Sequence, residues 1–402
     1  MSKLYDIYRQ CGAKVITDSR DAKGGELYFA LKGDNFDGNS FAISALEGGA
    51  SFAVVDDASI KGENIIVVED TLSELQSLAT EHRKSLGIQI FALTGTNGKT
   101  TTKELVKVAL EKKFSRVGCT AGNFNNHIGV PLTLLNFNDL TEIGVVEMGA
   151  NHPAEIAKLC EIAEPNVGLI TNIGLAHLEG FGSFEGVKST KAELFNYLKQ
   201  NGGKAIYNIE DEVVSSLVSD MKVDAIPYRG SMLEDVTLHL FGKYNKRNAA
   251  AATATAEYFG VDRKDAIKAV QDYVPTNNRS EIVACTARSN RLVVDCYNAN
   301  PSSMTVAVNE FMASEGKEGI MILGAMKELG EYSAKQHREI YDLSQSLGNE
   351  CYYIGLEFKG IAPEDCHFDN VDKAAQKLKL TGSSILLKGS RSIGLERLLA
   401  VL

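Results

Sequence analysis

Apolar positions along the chain follow two alternating rhythms. Short apolar runs bounded by Gly, Asp or Asn read as strands, at residues 25–31 (GELYFAL), 51–56 (SFAVVD) and 64–69 (NIIVVE). Stretches with a period near 3.6 lie between and after them. The longest early one, TLSELQSLATEHRKSL at 71–86, puts Leu72, Leu75, Leu78 and Ala79 at helical spacing. A second series opens with the buried-strand pattern IQIFALTG at 88–95. It continues through strands at 143–148, 167–171 and 204–209 to a helix near 262–273 and the breaker VPTNNR. A third series has strands at 291–297, 319–324, 351–355 and 384–389, with a final helix after the turn GSRSIG. The pattern predicts an α/β protein of three domains, at 1–85, 86–276 and 277–402. The central domain should be a parallel sheet with helices on both faces and the last Rossmann-like, with ligands in the clefts between domains.

Composition narrows the function. The 402 residues are 44% hydrophobic and 23% charged, ordinary for a globular protein of two or three domains. Lys plus Arg number 42 against 52 Asp plus Glu, a net charge of −10. That balance argues against a nucleic-acid partner, so an anionic ligand must be held by local devices and metal ions. Seven Cys without a CxxC pair suit reduced thiols better than a disulfide framework or zinc site. No apolar run approaches the ~18–20 residues that span a bilayer, and the charged first twenty residues lack a signal-peptide core. A cytoplasmic, membrane-free protein is expected, acting as a monomer.

The strongest local signal is FALTGTNGKTTTKELVKVAL, a buried strand, a Gly-rich turn and an amphipathic helix. Gly95 and Gly98 let backbone amides turn toward phosphate oxygens, and the helix N-terminus adds partial positive charge. Lys99 can neutralise phosphates and Thr100 can ligate Mg²⁺. Leu93 stands where GxxxxGK[ST] has its first Gly, so the loop is a shortened variant. A phosphate loop needs a second metal-holding acid at a neighbouring strand end. Glu147, ending IGVVEMG, fits that role or else simply faces solvent. His177, following the next strand, is either a metal or phosphate contact or an ordinary loop histidine. In SFEGVKSTKAELFNYLKQ, Lys191 falls within the stripe of Phe184, Val187, Leu194, Phe195 and Leu198. It either snorkels to Glu193 or Glu185, or sits inward as a neutral amine able to capture CO₂ as a metal-holding carbamate.

Together these motifs resemble the Mur ligase family, ATP-dependent amide-forming enzymes of peptidoglycan assembly, along essentially the whole chain. Residues 94–101 (TGTNGKTT) are similar to the family's ATP signature. The run 295–301 (DCYNANP), GNFNNHIGVPLTLL, ILGAMKELGE and KGSRSIGLE resemble the branch that adds D-alanyl-D-alanine to UDP-N-acetylmuramoyl-tripeptide. The resemblance implies a UDP-sugar-binding first domain, an ATP-binding central domain and a third domain receiving the dipeptide. It implies that Gly95, Thr96, Asn97, Gly98, Lys99, Thr100 and Thr101 bind ATP. Thr100, Glu147, His177 and carbamylated Lys191 would hold one or two Mg²⁺ ions. Asn245 and Asn248 match adenine contacts, and Arg279 and Asp295 match groups reaching phosphates and ribose from the third domain. Asp18, Ser19 and Arg20 match the uridine pocket, and Asn125 and Asn126 match contacts to the muramoyl peptide. Asn298 and Asn300 fall in the diagnostic run and are expected at the substrate. Lys388 and Arg391 are either the anchor for the dipeptide's carboxylate or a turn of solvated charges. Three positions depart from the family's pattern: Asn39 and Tyr244 each replace a His, and Ala325 replaces an acid. A folylpolyglutamate synthase-like ligase, a slow nucleotide-driven switch and an inactive scaffold are the rival expectations.

Overall fold

The computed structural model describes residues 2–175, 178–285 and 288–402. The first unit holds a parallel sheet ordered Val15–Ile16, Leu27–Phe29, Phe52–Val55, Ile65–Val67. The central sheet is parallel throughout, in the order Ala225–Tyr228, Lys204–Asn208, Val167–Ile170, Gln89–Thr94, Ile143–Glu147, Val117–Cys119. Five of six strands in the third sheet are also parallel: Asn290–Asp295, Ser384–Lys388, Ile320–Gly324, Glu350–Ile354 and His367–Phe368. The sixth, Glu281–Cys285, pairs antiparallel with Asn290–Asp295 at the edge. The predicted three-part α/β class is what is found. The edge strand, the short strands Val117–Cys119 and Ala225–Tyr228, and the 3₁₀ form of Leu395–Ala400 were not anticipated. Among the described residues no helix is long and apolar enough to cross a membrane.

Alternation along Gln89–Thr94 builds the central core. Phe91 and Leu93 enter one buried cluster, with Leu105, Val145 and Leu169. Ile90 and Ala92 enter another, with Val146, Ile170, Leu194 and Phe195. The first face is roofed by Lys99–Leu110 and by Tyr244–Tyr258, whose buried alanines at 249–252 permit close helix approach. The second face takes in side chains of the first unit: Tyr8, Leu75, Leu78 and Ala79 belong to the same cluster. The helix Thr71–Leu86, capped by Asp70 and ended by Gly87 in the left-handed region, is therefore a wall of the central core. The expected boundary at 85/86 marks its end but not a gap in packing.

Chain order in the central sheet reverses beside Gln89–Thr94, which lies between Val167–Ile170 and Ile143–Glu147. Ligands of open α/β sheets bind at such a point, beyond the carboxyl ends of the strands. The loops at 94–99, 147–150 and 171–175 all emerge there.

Candidate active site

The loop at 94–99 is shaped by its neighbours. Gly95 has φ 146°, and a Cβ there would lie 2.0 Å from Thr171 Oγ1. Gly98 has φ 79°, and its Cβ would meet Asn248 Oδ1 at 2.6 Å. Both positions thus require glycine for conformation and for space. Thr171 Oγ1 and Asn172 Nδ2 donate to the Asn97 carbonyl at 2.6 and 2.9 Å, and Asn97 N donates to Asn172 Oδ1 at 3.0 Å. Thr96 N donates to the Asn172 carbonyl at 2.9 Å. Thr171 and Asn172, which lie outside the sequence motif, thus hold the loop in shape. Their position just past the apolar strand 167–170, on the same sheet edge, was the available signal.

Charges converge on this loop. Lys99 Nζ donates to the carbonyls of Gly95 and Thr96 at 2.7 and 3.1 Å, curled over the turn it would use to hold phosphate. Burial lowers its basicity, the Glu147 charge opposes that shift, and Arg279 adds to it. Glu147, 1% exposed, accepts from Thr100 Oγ1 at 3.2 Å and Asn125 Nδ2 at 2.8 Å, both on Oε1. Its other oxygen, Oε2, is buried and has no hydrogen-bond partner among the described residues. A buried carboxylate oxygen left unsatisfied is costly, and a cation is the natural partner. Thr101 is buried beneath the loop.

Lys191 is also buried. Neither acid suggested as its partner reaches it: Glu193 accepts from Ala154 N and Ala157 N, both at 2.8 Å, and Glu185 pairs with Lys188 at 4.0 Å. The ammonium instead stands 5.4 Å from the Phe181 ring centroid. Desolvation, reinforced by the nearby charge of Lys99, pushes its pKa down to about 7. Desolvation thus favours the neutral amine in a site of converging cations, and the contacts made by Glu185 and Glu193 leave no acid for it to snorkel to. His177 lies outside the described residues.

The three-domain pattern, the shortened loop and these charges match known proteins. Three family models cover the chain in order: "Mur ligase family, catalytic domain" at residues 13–91, "Mur ligase middle domain" at 93–230, and "Mur ligase, glutamate ligase domain" at 278–391. The UDP-N-acetylmuramoyl-tripeptide–D-alanyl-D-alanine ligase of Bacillus subtilis is 37% identical over 81% of this chain and 76% of its own. The ligase of the same name from Escherichia coli is 33% identical over 96% of this chain and 93% of its own. The chain belongs to the Mur ligase family. Among solved structures, MurF ligase from Thermotoga maritima in complex with ADP superposes with a TM-score of 0.86 at 28% identity, covering 100% of this chain and 98% of that one.

Against that family frame, the other expected residues fall into place unevenly. Asn248 lies against Gly98 and donates to Asn245 Oδ1 at 2.9 Å, while Asn245 donates to the Phe241 carbonyl at 2.6 Å. Asn126 closes its own turn by accepting from Ile128 N and Gly129 N, and Asn125 serves Glu147. Across the cleft, Asn300 caps Pro301–Glu315 and donates to Asn97 Oδ1 at 2.9 Å. Asn298 accepts from Ala299 N at 2.9 Å. Lys388 is buried against Asp295 at 2.9 Å and also donates to the Asn298 carbonyl, so its charge is already matched. Arg391 is exposed, with Nη1 3.3 Å from the Tyr297 hydroxyl. In the first unit, Asp18 accepts from Arg20 N and opens the turn Ser19–Asp21, some distance in sequence and sheet from the loop.

The three departures from the family pattern are absorbed locally. Asn39 donates to Asp37 and Asp56 and accepts from Asp56 N, knitting the first unit's loop. Tyr244 shares a hydrogen bond with Ser280 at 2.8 Å, joining the alanine-rich helix to the third unit. Ala325 is fully buried against Gly355, where a Cβ would lie 2.6 Å from that of Ala325.

Proposed function

We propose that this chain uses ATP to join D-alanyl-D-alanine to the peptide carboxylate of UDP-N-acetylmuramoyl-tripeptide, in the cytoplasm. The observation that carries this reading is the reach of the likeness. It runs through all three units to ligases of that activity at 33–37% identity, and the chemical groups such a reaction needs are intact.

A carboxylate oxygen of the acceptor attacks the γ-phosphorus, and the bond from that phosphorus to ADP breaks. The product is an acyl phosphate. The uncharged amine of the dipeptide attacks the acyl carbon, a tetrahedral intermediate forms, and phosphate departs with the bonding pair while the amine loses a proton to solvent. Two anions must meet in the first step, so the positive field of Lys99 and the helix N-terminus lowers that barrier. The ring of contacts from Thr171 and Asn172 keeps the loop in place as charge moves.

Mg²⁺ fits the residues present. Among the described residues no cluster of three or more His, Cys, Asp or Glu side chains occurs. One carboxylate with a free oxygen, one hydroxyl and the nucleotide's own phosphates are the sparse donor set that Mg²⁺ favours. Glu147 and Thr100 would hold it, with His177 assigned by family pattern alone, and the ion supplies charge neutralisation to the phosphates. Lys191 suits a carbamate: its amine nitrogen bonds to the carbon of CO₂, the π pair moves to oxygen, and one proton leaves. That exchange turns a neutral amine near Lys99 into an anion able to share the metal.

Phosphate release should be measured with ATP, UDP-N-acetylmuramoyl-tripeptide and D-alanyl-D-alanine, each omitted in turn. Dependence on all three is expected. Equal release without the dipeptide would favour the nucleotide-driven switch instead.

A further inference from the structure

Three groups on one edge of the third sheet have not yet been joined. Arg279 precedes the antiparallel edge strand, Tyr297 follows Asn290–Asp295, and Arg391 follows Ser384–Lys388. The Arg279 guanidinium stacks on the Tyr297 ring, its Cζ 3.8 Å from the centroid. Arg391 Cζ is 5.0 Å from the same centroid, and its Nη1 lies 3.3 Å from the Tyr297 hydroxyl. Among the described residues neither arginine forms an ion pair with a carboxylate, whereas Lys388 beside them is matched by Asp295. A guanidinium stacked on a π face keeps its N–H donors in its own plane, directed away from the ring and free for an anion. Two cations sharing one ring also repel, and an anion bound to either relieves the other.

We propose that Tyr297 is a positioning residue that presents Arg279 to the nucleotide's phosphates and Arg391 to the dipeptide's carboxylate, coupling the two binding events through one ring. The proposal rests on the function given above. The segment that follows Tyr297 meets the phosphate loop directly, Asn300 donating to Asn97 Oδ1 at 2.9 Å and Asn97 donating to Ser302 Oγ at 2.8 Å. Arg391 stands exposed on the third unit, which the proposed function gives to the incoming dipeptide. Linkage requires the coupling to be reciprocal: ADP must tighten the dipeptide by the same factor that the dipeptide tightens ADP.

Two variants separate the ring from its hydroxyl. Tyr297→Phe keeps the π face for both arginines and removes the hydroxyl that contacts Arg391. It should raise the D-alanyl-D-alanine KM roughly three- to tenfold while the affinity for Mg²⁺-ADP, by calorimetry, stays within about twofold. Tyr297→Leu should weaken both ligands and erase their mutual enhancement. The proposal is overturned if Tyr297→Phe leaves the dipeptide KM unchanged, if Tyr297→Leu lowers kcat alone, or if wild-type protein shows no enhancement. Should Tyr297→Leu fail to fold by circular dichroism, the Tyr297→Phe result decides. Wild-type protein that ignores D-alanyl-D-alanine would count against the assigned reaction instead. The Arg279 half is then still decided by Mg²⁺-ADP affinity, which Tyr297→Leu must lower.

Discussion

Between the first and central units, Leu75, Leu78 and Ala79 of the helix Thr71–Leu86 enter a core shared with Val146, Ile156 and Leu159. The same helix donates from Gln76 to the His127 carbonyl and from Arg83 to the carbonyls of Ala163 and Glu164, and Tyr8 donates to the Leu135 carbonyl. At the mouth of the other cleft, by contrast, the phosphate loop meets the third unit through small polar groups: Asn97 to Ser302 at 2.8 Å and Asn300 to Asn97 at 2.9 Å. Apolar contact on that side is gathered at Phe241, which packs into the third unit's core near Phe311. Burying apolar side chains makes a seam cooperative with folding, while a few exchangeable hydrogen bonds can part without unfolding either unit. The first unit should therefore move with the ATP site as one body. The third unit should swing about the Phe241 contact, opening and closing on substrates.

The largest effects should arise inside the rigid block, where the chemistry sits. Glu147→Gln removes the charge from the buried carboxylate while keeping its volume. Ligation should fall on the order of 10²–10³-fold, with the unfolding midpoint little changed and the Mg²⁺ requirement raised. Normal activity would show that the ion rests elsewhere. Lys191→Ala should cost roughly 10- to 100-fold and be partly restored by formate or acetate standing in for the carbamate. Full activity without either anion would remove the carbamate.

The same lysine gives a pH signature. Its folded-state value of about 7 lies below the unfolded value of 10.5. Between these limits the folded protein binds fewer protons than the unfolded chain, so the bare amine makes stability rise with pH from about 7 to 10.5 and contributes no slope below about 7. Capture of CO₂ needs the neutral amine, so activity in bicarbonate buffer should climb as the folded amine deprotonates at about pH 7. A flat profile from pH 6 to 8 would separate Lys191 from catalysis.

Next in size is a test of the seam between the first and central units. Leu78 is 2% exposed, and Leu78→Ala should cost about 2–5 kcal/mol by transfer and cavity terms. The informative part is the shape of the transition. The first and central units should melt together at a lower temperature, and probes in the two units should report the same midpoint. Separate midpoints would mean that the helix is only a linker.

Why some of this could be seen in the sequence and some could not follows from the range of the forces involved. Gln89–Thr94, the loop after it and the helix Thr71–Leu86 are dictated by local periodicity and turn chemistry, and they appear where expected. The ownership of that helix is a tertiary fact. Its stripe of Leu75 and Leu78 declares a buried face without saying which sheet buries it. Lys191 within an apolar stripe was visible as an anomaly, but only packing shows that Glu193 is occupied capping Glu155–Ala163. Lys388 and Arg391, three residues apart, look alike in sequence, yet one is buried against Asp295 and the other stands exposed on Tyr297. The strand Glu281–Cys285 escaped notice because a short edge strand needs a partner more than a pattern.

The smallest predicted effect tests the polar seam most directly. Asn97→Ala deletes the side-chain bonds to Ser302 and Asn300, while the backbone bonds from Thr171 and Asn172 that shape the loop remain. Each lost bond contributes about 1 kcal/mol at most, so the unfolding midpoint should barely move. If these bonds help hold the third unit closed, the cost appears as a few-fold rise in KM for ATP and for the dipeptide together, because both need the closed form. Ser302→Ala should give a fraction of that rise, and the double variant should be no worse than Asn97→Ala alone, since the two side chains share one contact. Additive losses would mean that Asn97 acts on the nucleotide directly and that Ser302 has a separate task. A large loss of stability in either single variant would contradict the picture of a seam that opens without unfolding, and would place both cleft faces within one rigid body.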